Sequence, residues 1–439
     1  MINFKPAGTY ELKSFLLSSY ERGEEKEVDI KAIVHTWDLT ESIFKGSIRG
    51  TAKIYDATGT FYDFPIRGQE KVKIKYTDMK DVEREHDLFV YAVTDVKPSK
   101  SNSDTVLEYV LHFTSYAKFV SDTYTVKRCI ANGSGASRNY IPVSEQAQIL
   151  FDDYYAPFTE QELNAHESDG VAKIVIPDMR PEEAMHLFSR KAYSTTHLSS
   201  QFRFFENRDT FNFINMEEHI VLANKDEQKF LYSSGIVDKT PDAELKKMQT
   251  IVSIDYGTYA NTLEDIQKGT YTRRLNEIDT LSRVQINHEH HYILERDVYD
   301  YPDDNSKLGL FYSEDFIRKH MDHPQETYVF KDYADTDAQG GFGLRPRPNY
   351  TNIYNRKGSA VAHYNRNRIT VEIFGTNELV AGDVIELDIP EFREELQRVD
   401  ESKSGFYLVE TVRNVFFENS YRQILSVSKG AYKKGEIDV

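Results

Sequence analysis

The histidine-rich run at residues 287–291 (NHEHH) contains the side chains best suited to bind a metal ion. If this run is a β-strand, alternation places His288 and His290 on one face, where two imidazoles could bind a transition metal. No third ligand follows at a set spacing, and the run lacks the HExxH pattern that pairs two histidines with a general base on a helix. A polar strand edge explains the same residues, so we expect no metal site.

Loop motifs for calcium and phosphate also fail at specific positions. A calcium-binding loop starting at Asp300 would need glycine at its sixth position and glutamate at its twelfth, but Asn305 and Phe311 occupy them. The glycine runs at 133–135 and 340–343 lack the Lys-Ser/Thr pair of a phosphate loop and the helix pattern that should follow. We therefore predict no cofactor, neither calcium nor a nucleotide.

The residues that could act as nucleophiles carry no catalytic signature. Cys129 is the only cysteine, which excludes an intrachain disulfide and a cysteine-based zinc cluster, and a G-x-S-x-G element is absent. With 71 Asp and Glu residues, no carboxylate pair stands out as glycosidase machinery. The sequence therefore predicts no catalytic residue, and we expect that the protein is not an enzyme.

Composition narrows the class of protein. The 439 residues suffice for roughly two to four domains, and 29 Tyr and 26 Phe against one Trp favour strands over helices. A net charge of −17 disfavours adhesion to nucleic acid or anionic lipid, although it is compatible with DNA in passage. The apolar run at 15–17 is too short for a signal peptide or a membrane span, so no membrane association is expected.

The clearest structural unit is a helix followed by two aromatic strands. Pro181 suits a first helical turn, and the apolar residues after it recur on one face, namely Ala184, Met185, Leu187, Phe188 and Ala192. The sequence FRFFENRDTFNFI that follows predicts a hairpin around an Asn-Arg-Asp turn. One strand face carries Phe202 and Phe204, and one face of the next strand carries Phe211 and Phe213.

Two stretches of strands have the same order of signals. Residues 48–113 and 371–427 each contain four predicted strands, with the segments 68–70 and 382–383 opening the second one. We interpret this as a divergent internal repeat, although ordinary β-protein turn signals could produce the same order. The residues expected in the two cores are Ile54, Val72 and Ile74, and Ile373, Ile385 and Leu387.

The fold class expected from these patterns is α+β and predominantly β, with two similar β-barrel domains and a mixed α/β middle domain. Elements expected between the barrels are a helix at 144–150, a strand at 172–176, helices at 259–269 and 313–324, and an extended arm at 331–368. A charged insert follows at 391–404. The predicted units are an N-terminal barrel (1–115), a middle domain (116–230), a helical and extended insertion continuing it (231–368), and C-terminal barrel elements (369–439).

Several of these segments together resemble the baseplate central hub proteins of contractile-tailed bacteriophages. The helix, Ser/Thr linker and aromatic hairpin resemble the middle domain of that family. Five further short segments are similar in order along the chain: 269–271 followed by Asp279, a strand ending at Gly375, the opening at 382–383, and the strands at 405–409 and 421–425. The resemblance extends over nearly the whole chain through short motifs.

The resemblance implies a structural, non-enzymatic role in the virion tail baseplate, assembled in the host cytoplasm. Family members are homotrimers whose two barrel (tube-like) domains per chain form a pseudo-sixfold ring that joins the tail tube to the central spike and lets DNA pass during ejection. The implied partners are the central spike protein, a tail tube or tube-initiator protein, the tape-measure protein and baseplate wedge proteins. Two alternatives stay open: the hub-like spike base of a related contractile injection system, and a less favoured carbohydrate-active hydrolase.

Overall fold

A computed structural model gives the structure of the chain. It describes residues 5–21, 24–64, 66–99, 106–131, 141–197, 199–222, 229–232, 247–257, 263, 267, 272–280, 282–291, 299–300, 326–330, 333–335, 344–346, 357, 361, 364, 368–390, 400, 403–429 and 432–433. Within these residues, no helix is long and apolar enough to cross a membrane.

The N-terminal barrel is built from strands whose alternate residues point inward. Its elements are β1 (Glu11–Glu21), β2 (Glu24–Asp29), β3 (Val34–Ser42), β4 (Arg49–Asp56), the short helix α1 (Thr60–Asp63), β5 (Lys71–Thr77), β6 (Glu83–Pro98) and β7 (Leu107–Ser115). The strands lie in the order β2-β1-β5-β6-β7-β4-β3 around one apolar core. Strands β4 to β7 confirm the sequence prediction, whereas β1 was expected only as a short apolar run.

The middle unit packs helices against the aromatic hairpin. It contains α2 (Tyr116–Ser121), β8 (Ile141–Pro142), α3 (Val143–Tyr154), a 3₁₀ turn (Ala156–Phe158), β9 (Leu163–Ala165), β10 (Val171–Ala172), α4 (Pro181–Lys191), β11 (Phe202–Glu206), β12 (Phe211–Asn215) and α5 (Met216–Leu222). The four hairpin phenylalanines are all in its core. The predicted strand at 172–176 is wrong beyond Ala172, because only an isolated bridge from Val175 to Cys129 continues it.

The remaining strands form a second barrel and smaller sheets. They are β13 (Lys229–Tyr232), β14 (Thr250–Asp255), β15 (Thr272–Asp279), β16 (Val284–His291), β17 (Tyr299–Asp300), β18 (Glu326–Phe330), β19 (Tyr333–Asp335), β20 (Leu344–Pro346), β21 (Arg368–Phe374), β22 (Val384–Asp388), β23 (Gly405–Phe417), β24 (Ser420–Ser428) and β25 (Tyr432–Lys433). Strands β13 and β14, which precede residues 369–439, complete the second barrel with β21 to β24. The domain boundaries stay predictions.

The two barrels share one topology. The order β5-β6-β7-β4-β3 in the first matches β22-β23-β24-β21-β14 in the second, and every neighbouring pair in both is antiparallel. The register shift after Val90 in β6 has its counterpart after Val409 in β23, and the shift after Val34 in β3 has its counterpart after Ile251 in β14. Bulges at matched places are individual features, so they confirm the predicted internal repeat.

The matched strand openings also agree. The Val90 N–H donates to the Glu70 carbonyl at 2.9 Å, and the Val409 N–H donates to the Asp383 carbonyl at 2.8 Å. The six predicted core residues, three in each barrel, are fully buried or nearly so. The barrels differ at one edge, because β1 runs antiparallel to β5 whereas β13 runs parallel to β22 and closes onto β14.

Several predicted segments lie wholly or mainly outside the described residues, and they stay predictions. They are the glycine runs at 133–135 and 340–343, the helices at 259–269 and 313–324, the segment after Asp300 that was compared with a calcium loop, the arm at 331–368 and the charged insert at 391–404.

Candidate functional site: the junction of the two barrels

The two barrels are joined by a continuous antiparallel ladder between β3 and β23. Side chains reinforce the ladder: the Ser42 and Thr411 hydroxyls are 2.9 Å apart, and the Arg413 guanidinium donates from Nε at 2.9 Å to Asp38 Oδ2. Together these contacts make one sheet of thirteen strands from both barrels. We call the β3–β23 ladder the seam.

An aromatic stack fixes the seam from inside. The rings of Trp37 in β3 and Phe416 in β23 are stacked with centroids 3.7 Å apart and an interplanar angle of 4°, and Tyr421 stacks on the other side of Phe416 at 4.3 Å. Phe416 and Tyr421 therefore belong to the core of the first barrel although they lie in strands of the second. Because this shared core is closely packed, the barrels form a single unit at the seam.

Glu206 of the middle unit is buried where that unit meets the first barrel. Its Oε2 accepts from the Ile48 N–H at 3.1 Å and from the Ser115 hydroxyl at 2.5 Å. Burial raises the pKa of Glu206 to about 8. Burial likewise raises the pKa of Glu41 in β3 to about 7, and this carboxyl accepts from the Ala381 N–H of the second barrel.

Glu182, at the start of α4, contacts the loop between β3 and β4, which also contains Ile48. Its pKa is shifted in the opposite direction to that of Glu206. The Gly46 N–H donates to its Oε1 at 3.1 Å, and Lys118 forms a close ion pair with its Oε2. Burial alone would raise the pKa of Glu182, but the hydrogen bonds from His186 and Lys118 outweigh it and lower the pKa to about 2. The junction therefore combines a paired carboxylate with carboxyl groups that bind protons near neutral pH.

The carbonyl of Asn377 connects all three units. It accepts from Arg84 of the first barrel at 3.0 Å and from Arg208 of the hairpin turn at 2.5 Å. Arg208 also pairs with Asp209, and the Asn377 N–H donates to Asp78 of the first barrel at 3.3 Å. Asn377 is fully buried, so this polar node positions the hairpin against both barrels.

The predicted histidine run does not belong to the thirteen-stranded sheet. It lies in a separate sheet formed by β16, β15 and β18. The strand and the shared face of His288 and His290 are as predicted. His288 bonds to the Glu277 carboxylate at 2.9 Å. His290, expected at a polar strand edge, lies opposite Arg273 in the edge strand β16 but is buried. No cluster of three metal-ligating side chains is found among the described residues.

Sequence reasoning missed the residues that make the junction. Trp37 is the only tryptophan, and a large aromatic in a half-buried strand was a signal that it anchors a contact. Glu206 stands among phenylalanines in FRFFENR, where an acidic residue in an aromatic strand needs buried partners. Neither signal names the partner, since Phe416 and Ser115 are distant in sequence.

The fold is similar to the folds of two solved tail proteins, one of them from a prophage. The 43 kDa tail protein of prophage MuSo2 from Shewanella oneidensis is similar over 95% of this chain and 97% of its own, with 9% identity and a TM-score of 0.52. The tail protein from Neisseria meningitidis MC58 is similar over 96% of both chains, with 10% identity and a TM-score of 0.50. Neither a protein-family model nor a curated protein matches the sequence.

Proposed function

We propose that this protein is the structural hub of a phage tail baseplate. The observation that carries the proposal is the pair of barrels with one strand order, matched bulges and a fused seam within a single chain. The fold shared with a prophage tail protein and with a second tail protein supports the same role. In this role the protein is a component of the virion, acts by binding its neighbours, and carries out no catalysis.

The repeated barrel gives a reason for a trimer. A threefold ring that contacts a sixfold tail tube presents six equivalent positions only if each chain contributes two similar units. Duplication therefore lets three copies match the tube without leaving half of its contacts unpaired. On the opposite side the same ring would bind the threefold central spike.

The charge of the chain fits a channel that DNA passes through. With a net charge of −17, the ring repels the phosphate backbone in bulk, so DNA moves through it without being retained. The tape-measure protein would occupy the channel before ejection, and wedge proteins would bind the outer surface. Cell-wall cleavage would belong to a partner protein.

Two measurements test the proposal. Native mass spectrometry of the full chain, alone and after co-expression with a candidate spike protein, should give assemblies with three copies of this chain. Electron cryomicroscopy of intact particles should place the density of the chain between the tube and the spike. A stable dimer or hexamer, or density elsewhere in the particle, would contradict the proposal.

A further inference from the structure

Arg203 in β11 carries a half-buried guanidinium group. Alternation puts it on the strand face opposite to Phe202 and Phe204, and its cross-strand neighbour is Ile214. The guanidinium lies over the Phe44 ring at 5.3 Å, but among the described residues it has no hydrogen bond and no ion pair. A guanidinium has five donors, and a charge removed from water normally has a partner. Arg203 is therefore a candidate for binding an acceptor from outside the chain.

This arginine lines a pocket where the three units meet. The pocket has a volume of about 40 Å³, and its apolar lining includes Ile43 of the first barrel, Met216 of the middle unit and Leu408 of the second barrel. It opens to the surface, because two of its lining side chains are exposed, Phe44 to 38% and Arg368 to 35%. A single water molecule requires about 10–15 Å³ by the same measure, so the pocket has room for a group of the size of a carboxylate.

The carboxyl groups that interact electrostatically with Arg203 are held by other partners. Glu410 accepts hydrogen bonds from Nε and Nη2 of the Arg368 guanidinium. Glu217 accepts a hydrogen bond from the Ser199 hydroxyl, and burial raises the pKa of Glu217. Because burial disfavours the ionised form, Glu217 provides little negative charge to the pocket.

Lys357 adds a further positive charge beside the pocket. Its Nζ donates to the Ser200 carbonyl at 2.9 Å, and the side-chain amide of Gln201, which lines the pocket, donates to the Lys357 carbonyl at 3.1 Å. Burial and the charge of Arg203 lower the pKa of Lys357 to about 8. The pocket therefore has an excess of positive charge in a chain whose net charge is −17.

We propose that this pocket binds the C-terminal residue of a partner polypeptide, with the α-carboxylate paired to Arg203 and an apolar side chain packed on Phe44. A planar guanidinium can form two parallel N–H···O bonds with a carboxylate. A chain terminus carries its carboxylate and its side chain on one carbon, so both groups reach a cation and an adjacent aromatic ring together. A glutamate side chain has its charge at the tip and offers only methylene groups. The pocket lies within a single chain, so binding is independent of the proposed trimer.

Saturation-transfer difference NMR on the full chain tests the class of ligand, because it detects weak binding of small molecules to a large protein. N-acetylvaline represents a chain terminus, N-acetylvalinamide is its neutral counterpart, and the α-amide of N-acetylglutamic acid represents an internal acidic side chain. N-acetylvaline should bind about 10-fold more tightly than N-acetylvalinamide, which is the effect of one charge-assisted hydrogen bond. It should also bind several-fold more tightly than the glutamate analogue, which lacks the branched apolar side chain.

Variants of the full chain assign the binding to the pocket. R203M keeps the apolar stem of the side chain without its charge. It should weaken the binding of N-acetylvaline at least about 10-fold and keep the wild-type melting temperature, because no hydrogen bond within the chain is lost. R203K keeps the charge without the planar fork and should weaken binding less than R203M does. The matched control R283M, at an exposed arginine between β15 and β16, should bind as the wild type does.

The outcomes separate the pocket from the proposed function. Equal binding of N-acetylvaline and its amide, no binding of N-acetylvaline, or wild-type binding by R203M would overturn the proposal. A glutamate analogue that bound as tightly as N-acetylvaline would overturn the assignment to a chain terminus. A melting temperature that fell in R203M would indicate a structural role for Arg203 and would also count against the proposal. Native mass spectrometry measures the trimer separately, so failure of the pocket and failure of the trimeric hub are distinguishable.

Discussion

The free energy of unfolding of the wild type should fall as the pH rises, and replacing Glu206 by Gln should remove most of this fall. The neutral carboxyl accepts hydrogen bonds from Ile48 and Ser115 in a buried site, and burial raises its pKa from the ordinary 4.5 to about 8. Between these two pH values the folded state binds a proton that the unfolded state has released. The stabilising contribution is therefore complete below about pH 4.5 and is lost as the pH rises through about 8.

The size of the effect follows from the pKa shift. Each pH unit between the two pKa values removes about 1.4 kcal/mol from the free energy of unfolding. From about pH 5 to about pH 8, the ionisation linked to Glu206 should therefore lower the free energy of unfolding of the wild type by on the order of 3 kcal/mol. Glu41, whose pKa burial raises to about 7, acts in the same direction. Because Gln cannot ionise, E206Q should keep only the pH dependence of stability that comes from Glu41.

Urea unfolding followed by tryptophan fluorescence measures this change at the right place. Trp37 is the only tryptophan and lies buried in the seam, so its emission reports the junction without a label. At about pH 8 the E206Q variant should be more stable than the wild type by about 2–3 kcal/mol, and at about pH 5 the two should differ by about 1 kcal/mol or less.

The variant E182Q provides the control of opposite sign. Hydrogen bonds from His186 and Lys118 overcome burial and lower the pKa of Glu182 to about 2, so its stabilising contribution is present above about pH 4.5 and is lost as the pH falls. E182Q should therefore be less stable than the wild type at neutral pH, because Lys118 loses one of its two carboxylate partners and keeps only Asp122. If E206Q kept the wild-type slope between about pH 5 and about pH 8, the assignment of a neutral, buried Glu206 would be wrong.

Three further predictions concern packing and the histidine strand. Truncating Phe416 to Ala should lower the free energy of unfolding by about 3–5 kcal/mol in the same urea assay, whereas F417A, at a side chain 43% exposed, should change it by about 0.5 kcal/mol or less; equal effects would refute the shared aromatic core. G50A should cost about 1–3 kcal/mol or more by thermal unfolding, because its Cβ would meet a Phe ring atom at 2.2 Å. H288A should lower the free energy of unfolding by about 1 kcal/mol, because it removes the bond to Glu277. A chelator should change the melting temperature of neither the wild type nor H288A. A melting temperature that fell with chelator only in the wild type would indicate a metal site.

Local sequence patterns determined strands β4 to β7 and β21 to β24, the helix–hairpin unit and the repeat. Alternation at Val72 and Ile74 and at Ile385 and Leu387 identified both strand and buried face, because successive side chains of a strand point to opposite sides. Pro181 and the apolar face after it located α4, because proline suits the first helical turn and the apolar residues recur on one side of a helix. The order of these signals was enough to predict two barrels of one topology.

The tertiary structure alone decided how the barrels are joined and which acids are neutral. Nothing near Trp37 in sequence specifies that it stacks on Phe416, and the two-residue strand left at Val171–Ala172 shows how packing shortens a stretch with good strand propensity. The pKa of Glu206 depends on burial by segments distant in the chain, and electrostatic free energies are set by distance and surrounding medium. The sequence alone gives neither the distances between these groups nor the medium that surrounds them.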